Sequence, residues 1–134
     1  MATVRKQIFT RARPDQVWDA VRDIGALHTR LVPGFVTDTH LEPGARIVTF
    51  ANGVTVCEPI ITIDDAARRL VWSSQGGNTT HYNASAEVVE ADGQTCVVWT
   101  ADFLPDTATP AIAAAMEAGA KAMKTTLDRL AEAH

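Results

Sequence analysis

The chain has 134 residues, which is enough for one domain with a hydrophobic core. Apolar residues make up 46% of it and charged residues 21%, as in ordinary globular domains, and the net charge of −4 gives no reason to expect nucleic acid or an anionic membrane surface as a partner. The opening segment MATVRKQIFT has no apolar signal region, and no apolar run approaches the ~18 residues that span a bilayer. We therefore expect a single cytoplasmic domain over residues 1–134, without membrane insertion.

The first part of the chain predicts one strand followed by two short helices. Residues 3–11 are predicted to form a strand, with Val4, Ile8 and Thr10 on one face and Phe9 on the other. From Pro14, which suits the first turn of a helix, apolar residues recur at helical spacing up to Ile24. Gly25 interrupts this pattern, and a second short helix is predicted over 26–31.

The middle of the chain is almost wholly strand-like. Strands are predicted at 35–41, 45–50, 54–63, 68–74, 79–90 and 94–104. The turn pairs between them are Pro43-Gly44, Asn52-Gly53, Asp64-Asp65, Gly76-Gly77 and Asp92-Gly93. Connections this short join antiparallel neighbours, because parallel strands need a long crossover.

The last predicted element is a long amphipathic helix from about 108 to 132. Its apolar stripe follows a three-to-four spacing through Ile112, Met116, Gly119 or Ala120, Met123, Leu127 and Leu130. The element order predicts an α+β fold in which a curved seven-stranded antiparallel sheet wraps around this helix. Because the stripe is rich in small residues and methionine, we expect a cavity between helix and sheet; close packing without a cavity is the alternative.

Several segments resemble one protein family. The pattern A-x-P-x-x-V-W-x-x-V-x-D in ARPDQVWDAVRD is similar to the opening of the SRPBCC superfamily, the START/Bet v 1-like helix-grip proteins. The segments RIVTFANGVTVCEPIITID, RRLVWS and TCVVWTADFLP and the long final helix resemble its polyketide cyclase/dehydrase and lipid-transport branch. The resemblance covers essentially the whole chain and implies the helix-grip fold. The segment LHTRLVPGF departs from it, since many relatives carry an aromatic residue before the proline.

Glu58 stands in mid-strand directly ahead of Pro59, although strands are depleted in both residue types. Three roles are open to it: a solvent-facing residue, half of a structural ion pair, or the working carboxylate of a ligand pocket. Of these we favour the ion pair. If the hairpin closes around 51–53, Arg46 lies opposite Glu58 at one end of an apolar row. A two-residue turn at Asn52-Gly53 shifts the register by one and separates the two charges. In the family that the chain resembles, an Arg and a Glu recur at these places, which favours the paired register.

The alternation within the strands also predicts the side chains that line the cavity. His81 and Tyr82 are adjacent and point to opposite faces, and the apolar neighbours of Tyr82 assign it to the inner face. Its hydroxyl either orients a ligand or bonds to the backbone as in a core tyrosine. Trp72, Trp99 and Phe103 are core residues or ligand contacts. The predicted ligand-binding residues are Arg46, Val48, Val56, Glu58, Ile60, Trp72, Tyr82, Trp99, Phe103, Met116 and Met123.

Motifs of other chemistries are missing from the sequence. No nucleophile elbow, P-loop or dinucleotide fingerprint is present, and we predict no metal and no cofactor. Cys57 and Cys96 are too few for a disulfide framework and are expected to be reduced. The histidines have no metal-binding spacing and are expected on the surface or in loops: His28, His40, His81 and His134.

Two functions from different classes follow. The first is binding of a small hydrophobic, lipid- or polyketide-like molecule by a non-catalytic carrier or sensor. The alternative is an enzyme of the polyketide cyclase/dehydratase type, in which Glu58 or Tyr82 moves protons. Few ionisable residues occupy apolar faces and no acid–base pair is evident, which favours binding. A toxin–antitoxin or stress-response partner protein rests on analogy alone. We expect a monomer or weak homodimer.

Overall fold

The computed structural model describes residues 1–132, so His134 lies outside the described residues. The predicted order of elements is confirmed. In chain order these are β1 (Ala2–Thr10), α1 (Pro14–Arg22), a π-helical turn (Leu27–Leu31), β2 (Val36–Glu42), β3 (Ala45–Phe50), β4 (Thr55–Asp64), β5 (Arg69–Ser73), β6 (His81–Ala91), β7 (Gln94–Leu104), a 3₁₀ turn (Asp106–Ala108) and α2 (Thr109–Glu132). Both cysteines are free thiols.

The seven strands form one antiparallel sheet in the order β1-β7-β6-β5-β4-β3-β2. Tight turns produce this meander: Asp92 and Gly93 both have positive φ (54° and 75°), the backbone that a two-residue hairpin turn requires. Register shifts in β2, between Val36 and Asp38, and in β4, between Ile60 and Thr62, bend the sheet, because a bulge increases local twist. The α+β fold with a curved seven-stranded sheet is therefore confirmed.

Helix α2 covers the inner face of this sheet with the predicted stripe. Met116, Gly119, Met123 and Leu127 are buried along it. Gly119 allows the closest approach, since a Cβ at this position would lie 2.9 Å from Cη2 and Cζ3 of Trp99 on β7. Any larger residue would push the helix away from the sheet or displace the indole.

Helix α1 closes the sheet at the end where β4 turns into β5. The indole Nε1 of Trp18 donates a hydrogen bond to Oδ1 of Asp65 at 2.9 Å, and Nε of Arg22 donates to the same oxygen at 2.7 Å. These two donors hold the pKa of Asp65 below its usual value. The hydrogen bonds to Asp65 anchor α1. The π-helical turn that follows α1 leads to β2, and its residue Leu31 is buried.

Candidate functional site

A cavity of about 630 Å³ lies between α2 and the inner face of the sheet. Its size is typical of sites for small organic ligands. The sheet forms its floor, α2 forms its roof, and the segment from Leu27 to Val36 forms one side wall. The exposed lining residues lie in the β3–β4 turn, the β5–β6 loop and the first turns of α2, and they mark the mouth: Ala51, Asn52, Val54, Gly76, Gly77, Asn78, Ala111 and Ala115.

The structure brings eight of the eleven predicted residues to the cavity wall. These are Arg46, Val56, Glu58, Trp72, Tyr82, Trp99, Met116 and Met123. They come from β3, β4, β5, β6, β7 and α2, so the wall is assembled from strands far apart in sequence. Tyr82 is one of these residues, so the inward orientation that we predicted for it from its apolar neighbours is correct.

Three predicted lining residues do not reach the cavity: Val48, Ile60 and Phe103. Val48 and Phe103 have no exposed surface because neighbouring side chains cover them; the Phe103 ring stacks against Tyr82 at 6.4 Å between centroids. Ile60 lies beyond Glu58, at the register shift of β4, and is partly buried against the core. The alternation within the strands correctly predicts that these side chains face the inner side of the sheet, but it does not predict how deeply they are buried.

The side wall was missed by the sequence prediction. Leu27, Leu31, Val32 and Phe35 line it, and the Phe35 ring meets Phe50 edge-on at 5.4 Å between centroids. These residues belong to LHTRLVPGF, the segment that departs from the family pattern. Their apolar spacing was the available signal, but a π-helical turn followed by a Pro-Gly turn gives no regular period from which to read a face.

Arg46 and Glu58 form a buried ion pair, as predicted. The hairpin closes through 51–53, which places the two residues directly opposite each other. Nε of Arg46 donates to Oε1 of Glu58 at 2.8 Å, and the side chains are only 3% and 8% exposed. The guanidinium also lies over the ring of Trp72 at 5.3 Å, a cation–π contact. The reading of Glu58 as solvent-facing is therefore wrong.

Comparison with known proteins identifies the family. All of residues 1–134 match the family described as "Polyketide cyclase / dehydrase and lipid transport". The chain belongs to this family. A search of curated proteins finds no match.

Solved structures share the fold of this polyketide cyclase/dehydrase family member. XoxI from Bacillus cereus has a TM-score of 0.84 and 20% identity, over 95% of this chain and 96% of its own. A protein from Thermobifida fusca has a TM-score of 0.77 and 29% identity, over 97% and 95%. A START superfamily protein from Mycobacterium smegmatis has a TM-score of 0.74 and 12% identity, over 96% and 98%. Together with the family match, these structures establish the helix-grip fold of the SRPBCC superfamily.

The cavity of this family member is electrically neutral. Among the described residues that line it, Arg46 and Glu58 are the only charged ones, and they neutralise each other. Burial raises the pKa of Glu58, and the nearby Arg46 opposes that rise only in part. Burial, with a smaller contribution from the Glu58 charge, also raises the pKa of Tyr82, so its hydroxyl stays protonated at neutral pH.

No group of His, Cys, Asp and Glu within residues 1–132 is placed to hold a metal ion. Neither helix in that range is long and apolar enough to cross a membrane.

The raised pKa of Glu58 predicts an unusual dependence of stability on pH. A carboxyl whose folded-state pKa lies above its ordinary value of 4.5 binds its proton more tightly in the folded state. The contribution of this carboxyl to stability is present below its ordinary pKa, and it is lost as the pH rises through its pKa in the folded protein. The free energy of unfolding of the wild type relative to Glu58→Gln should therefore fall as pH rises from 4.5, and then level off. Urea melts of both proteins across this range measure the difference.

Glu117 provides the matched control for this measurement. Lys6 donates to its carboxylate at 2.7 Å and lowers its pKa, so its stabilising contribution is present above the ordinary pKa and is lost as pH falls. The wild type relative to Glu117→Gln should accordingly show the opposite trend. A rise with pH in the Glu58 comparison would mean that attraction to Arg46, rather than burial, controls this carboxyl.

Proposed function

We propose that this protein binds a small hydrophobic molecule, lipid- or polyketide-like, in the cavity between sheet and α2, and acts as a carrier or sensor. The observation that carries the proposal is the cavity of about 630 Å³, whose walls are mainly apolar and aromatic. Membership in a family described by polyketide and lipid chemistry supports it. A cytoplasmic location and a monomeric or weakly dimeric state stay predictions.

The composition of the wall supports binding of an apolar molecule. Trp72 and Trp99 on the floor face Met116 and Met123 on the roof, and Phe35 stands at the side. Removing apolar ligand surface from water contributes roughly 25 cal/mol per Å², and aromatic walls add directional contacts to rings. Methionine side chains adapt to ligands of different outline. Apart from Val54, the mouth residues are small or polar, which leaves a path for a ligand to enter.

Catalysis of the polyketide cyclase/dehydratase type is the second candidate, and one observation favours it. Glu58 and Tyr82 both line the cavity and both have raised pKa values, a feature common among catalytic acids and bases. Binding without turnover is preferred because Glu58 already accepts a hydrogen bond from Arg46. The substitution Glu58→Gln separates the two functions: a binding protein still binds, whereas an enzyme that uses this carboxyl loses roughly 10²–10⁴-fold in turnover.

Two measurements test the proposed function. Native mass spectrometry of protein purified from its own host should show an added mass that disappears on denaturation. Titration of the delipidated protein with a neutral naphthalene fluorophore should saturate at one molecule per chain. Absence of both the added mass and saturable probe binding would contradict the proposal.

A further inference from the structure

A row of polar side chains crosses the floor of the mainly apolar cavity. Arg46 on β3 lies opposite Glu58 on β4. The pairing of Cys57 with Gln75 places the next residue along β4, Glu58, opposite Ser74, which directly follows β5. Side chains at such opposite positions have Cβ atoms about 4.5–5.5 Å apart.

Tyr82 on β6 completes this row. The backbone N–H of Ser74 donates to the carbonyl of Tyr82 at 3.1 Å, so the two residues are neighbours across the sheet. Arg46, Glu58, Ser74 and Tyr82 all line the cavity. Four adjacent strands therefore bring one ion pair and two hydroxyl groups to a single strip of the cavity floor.

Glu58 presents one carboxylate oxygen to the cavity. Oε1 accepts a hydrogen bond from Arg46, whereas Oε2 accepts none from residues 1–132. Oε2 nevertheless keeps accessible surface, because the buried polar atoms without a partner in that range belong to His28, Thr39 and Trp99. Glu58 as a whole is only 6% exposed and lies on the inner face of the sheet, where it lines the cavity. The remaining accessible surface of Oε2 therefore opens into the cavity.

The hydroxyl groups of Ser74 and Tyr82 are accessible by the same criterion. Neither bonds to another group within residues 1–132, and neither is among the buried atoms without a partner. The Tyr82 ring is held in place by its stack on Phe103. The charge of Glu58 contributes to the raised pKa of Tyr82, which indicates that the phenol lies near the carboxylate.

The charge balance of the row limits the ligand group that suits it. Oε2 of Glu58 needs a hydrogen-bond donor, but Arg46 already neutralises the carboxylate charge. An ammonium ion or a second carboxylate would therefore be a buried charge without a counter-ion, which is strongly unfavourable. A ketone or ester oxygen has no proton to donate to Oε2. A hydroxyl group is neutral, donates to Oε2 and accepts from the hydroxyl of Ser74 or Tyr82.

We propose that Glu58, Ser74 and Tyr82 form a subsite for a hydroxyl group on a neutral, otherwise apolar ligand. Oε2 of Glu58 accepts a hydrogen bond from this group, and the hydroxyl of Ser74 or Tyr82 donates one to its oxygen. The inference rests on the proposed function and narrows its ligand class to phenols and alcohols. Hydrocarbons, ethers and free fatty acids are bound less tightly.

Four probes with one shared ring system test the inference: 2-naphthol, 2-methoxynaphthalene, 2-methylnaphthalene and 2-naphthoate. Each competes at pH 7 with the neutral naphthalene fluorophore for the wild-type protein. We expect 2-naphthol to bind about tenfold more tightly than the methoxy and methyl compounds, because only 2-naphthol donates a hydrogen bond. The anion 2-naphthoate should bind more weakly than 2-naphthol.

Removal of both hydroxyl groups tests the donors of the subsite. The double variant Ser74→Ala, Tyr82→Phe keeps the aromatic ring that stacks on Phe103. It should weaken binding of 2-naphthol by about tenfold while changing binding of 2-methylnaphthalene less than about twofold. Ser73→Ala is the matched control, since Ser73 is the adjacent residue of the same type and does not line the cavity. It should change neither affinity.

A further measurement tests Glu58 in the wild-type protein and does not depend on the folding of any variant. The ¹³C signal of the Glu58 carboxyl carbon, followed against pH, reports the pKa of this group. The pKa should fall when 2-naphthol binds, because a donated hydrogen bond favours the ionised carboxylate. It should not fall when 2-methylnaphthalene binds.

The outcomes separate this inference from the proposed function. Equal wild-type affinities for 2-naphthol and 2-methylnaphthalene, or tighter binding of 2-naphthoate, would overturn the inference and leave the proposed function standing. Equal losses for 2-naphthol and 2-methylnaphthalene in the double variant, or a Glu58 pKa that 2-naphthol does not lower, would do the same. Failure of the fluorophore and of every probe to bind the wild type would overturn both.

Discussion

Replacing Glu58 with alanine is expected to lower the free energy of unfolding by about 3–5 kcal/mol, because it leaves the guanidinium of Arg46 buried without its counter-ion. The Arg46 side chain is only 3% exposed and cannot turn towards water without disturbing the sheet. Its remaining hydrogen bond, to the carbonyl of Ile24 at 3.5 Å, is long and does not replace the lost carboxylate. Chemical denaturation of the wild type and Glu58→Ala measures the loss.

A double-mutant cycle shows whether this loss belongs to the pair. Arg46→Met and Glu58→Gln should each destabilise the protein, and the double mutant should be more stable than the sum of the two effects predicts, by about 0.5–3 kcal/mol. The removal of both charges eliminates the unpaired one, which is why the combined change is milder. Lys124 and Asp128, an exposed pair on α2 at 3.2 Å, serve as the control cycle and should couple by less than about 0.5 kcal/mol. Additive effects at Arg46 and Glu58 would contradict the stabilising role of the buried pair.

Replacing Met116 with tryptophan is expected to weaken binding of an apolar probe by about 100-fold, equivalent to ~2.7 kcal/mol of binding free energy. Met116 is 2% exposed on the inner side of α2 and lines the cavity. Because Met116 lines the cavity and is otherwise buried, the larger indole should occupy the volume that a ligand needs. Fluorescence titration with the neutral naphthalene fluorophore measures the affinity.

Ala118 supplies the matched control for Met116. It lies on the exposed side of the same helix, two residues further along, and does not line the cavity. Ala118→Trp adds the same side chain and should leave probe affinity within about twofold of the wild type. Thermal melts followed by circular dichroism establish that both variants are folded. A folded Met116→Trp variant that binds as well as Ala118→Trp would show that the probe binds elsewhere.

The ion pair illustrates how far local sequence rules reach. Arg46 and Glu58 are separated by one hairpin, so a turn at 51–53 and the two-residue period of the strands place them opposite each other. The choice of this turn over a two-residue turn at Asn52-Gly53 came from the family resemblance. The same period assigned Tyr82 to the inner face, next to Ala84 and Ala86, which are buried. Features that depend on neighbours within about a dozen residues were therefore predictable from the sequence alone.

The sequence by itself determined the order of the elements, the antiparallel sheet, its inner face and the apolar stripe of α2, because each follows from a local period or turn. The tertiary structure decided how deep each inward side chain lies. Phe103 stacks behind Tyr82 and has no exposed surface, whereas Trp99 lines the cavity. That difference depends on the distance between α2 and each strand. The close contact of Gly119 with Trp99 sets this distance on one side of the cavity, and the segment from Leu27 to Val36 sets it on the other side. Such distances arise from contacts between residues far apart in the chain, and no local pattern encodes them.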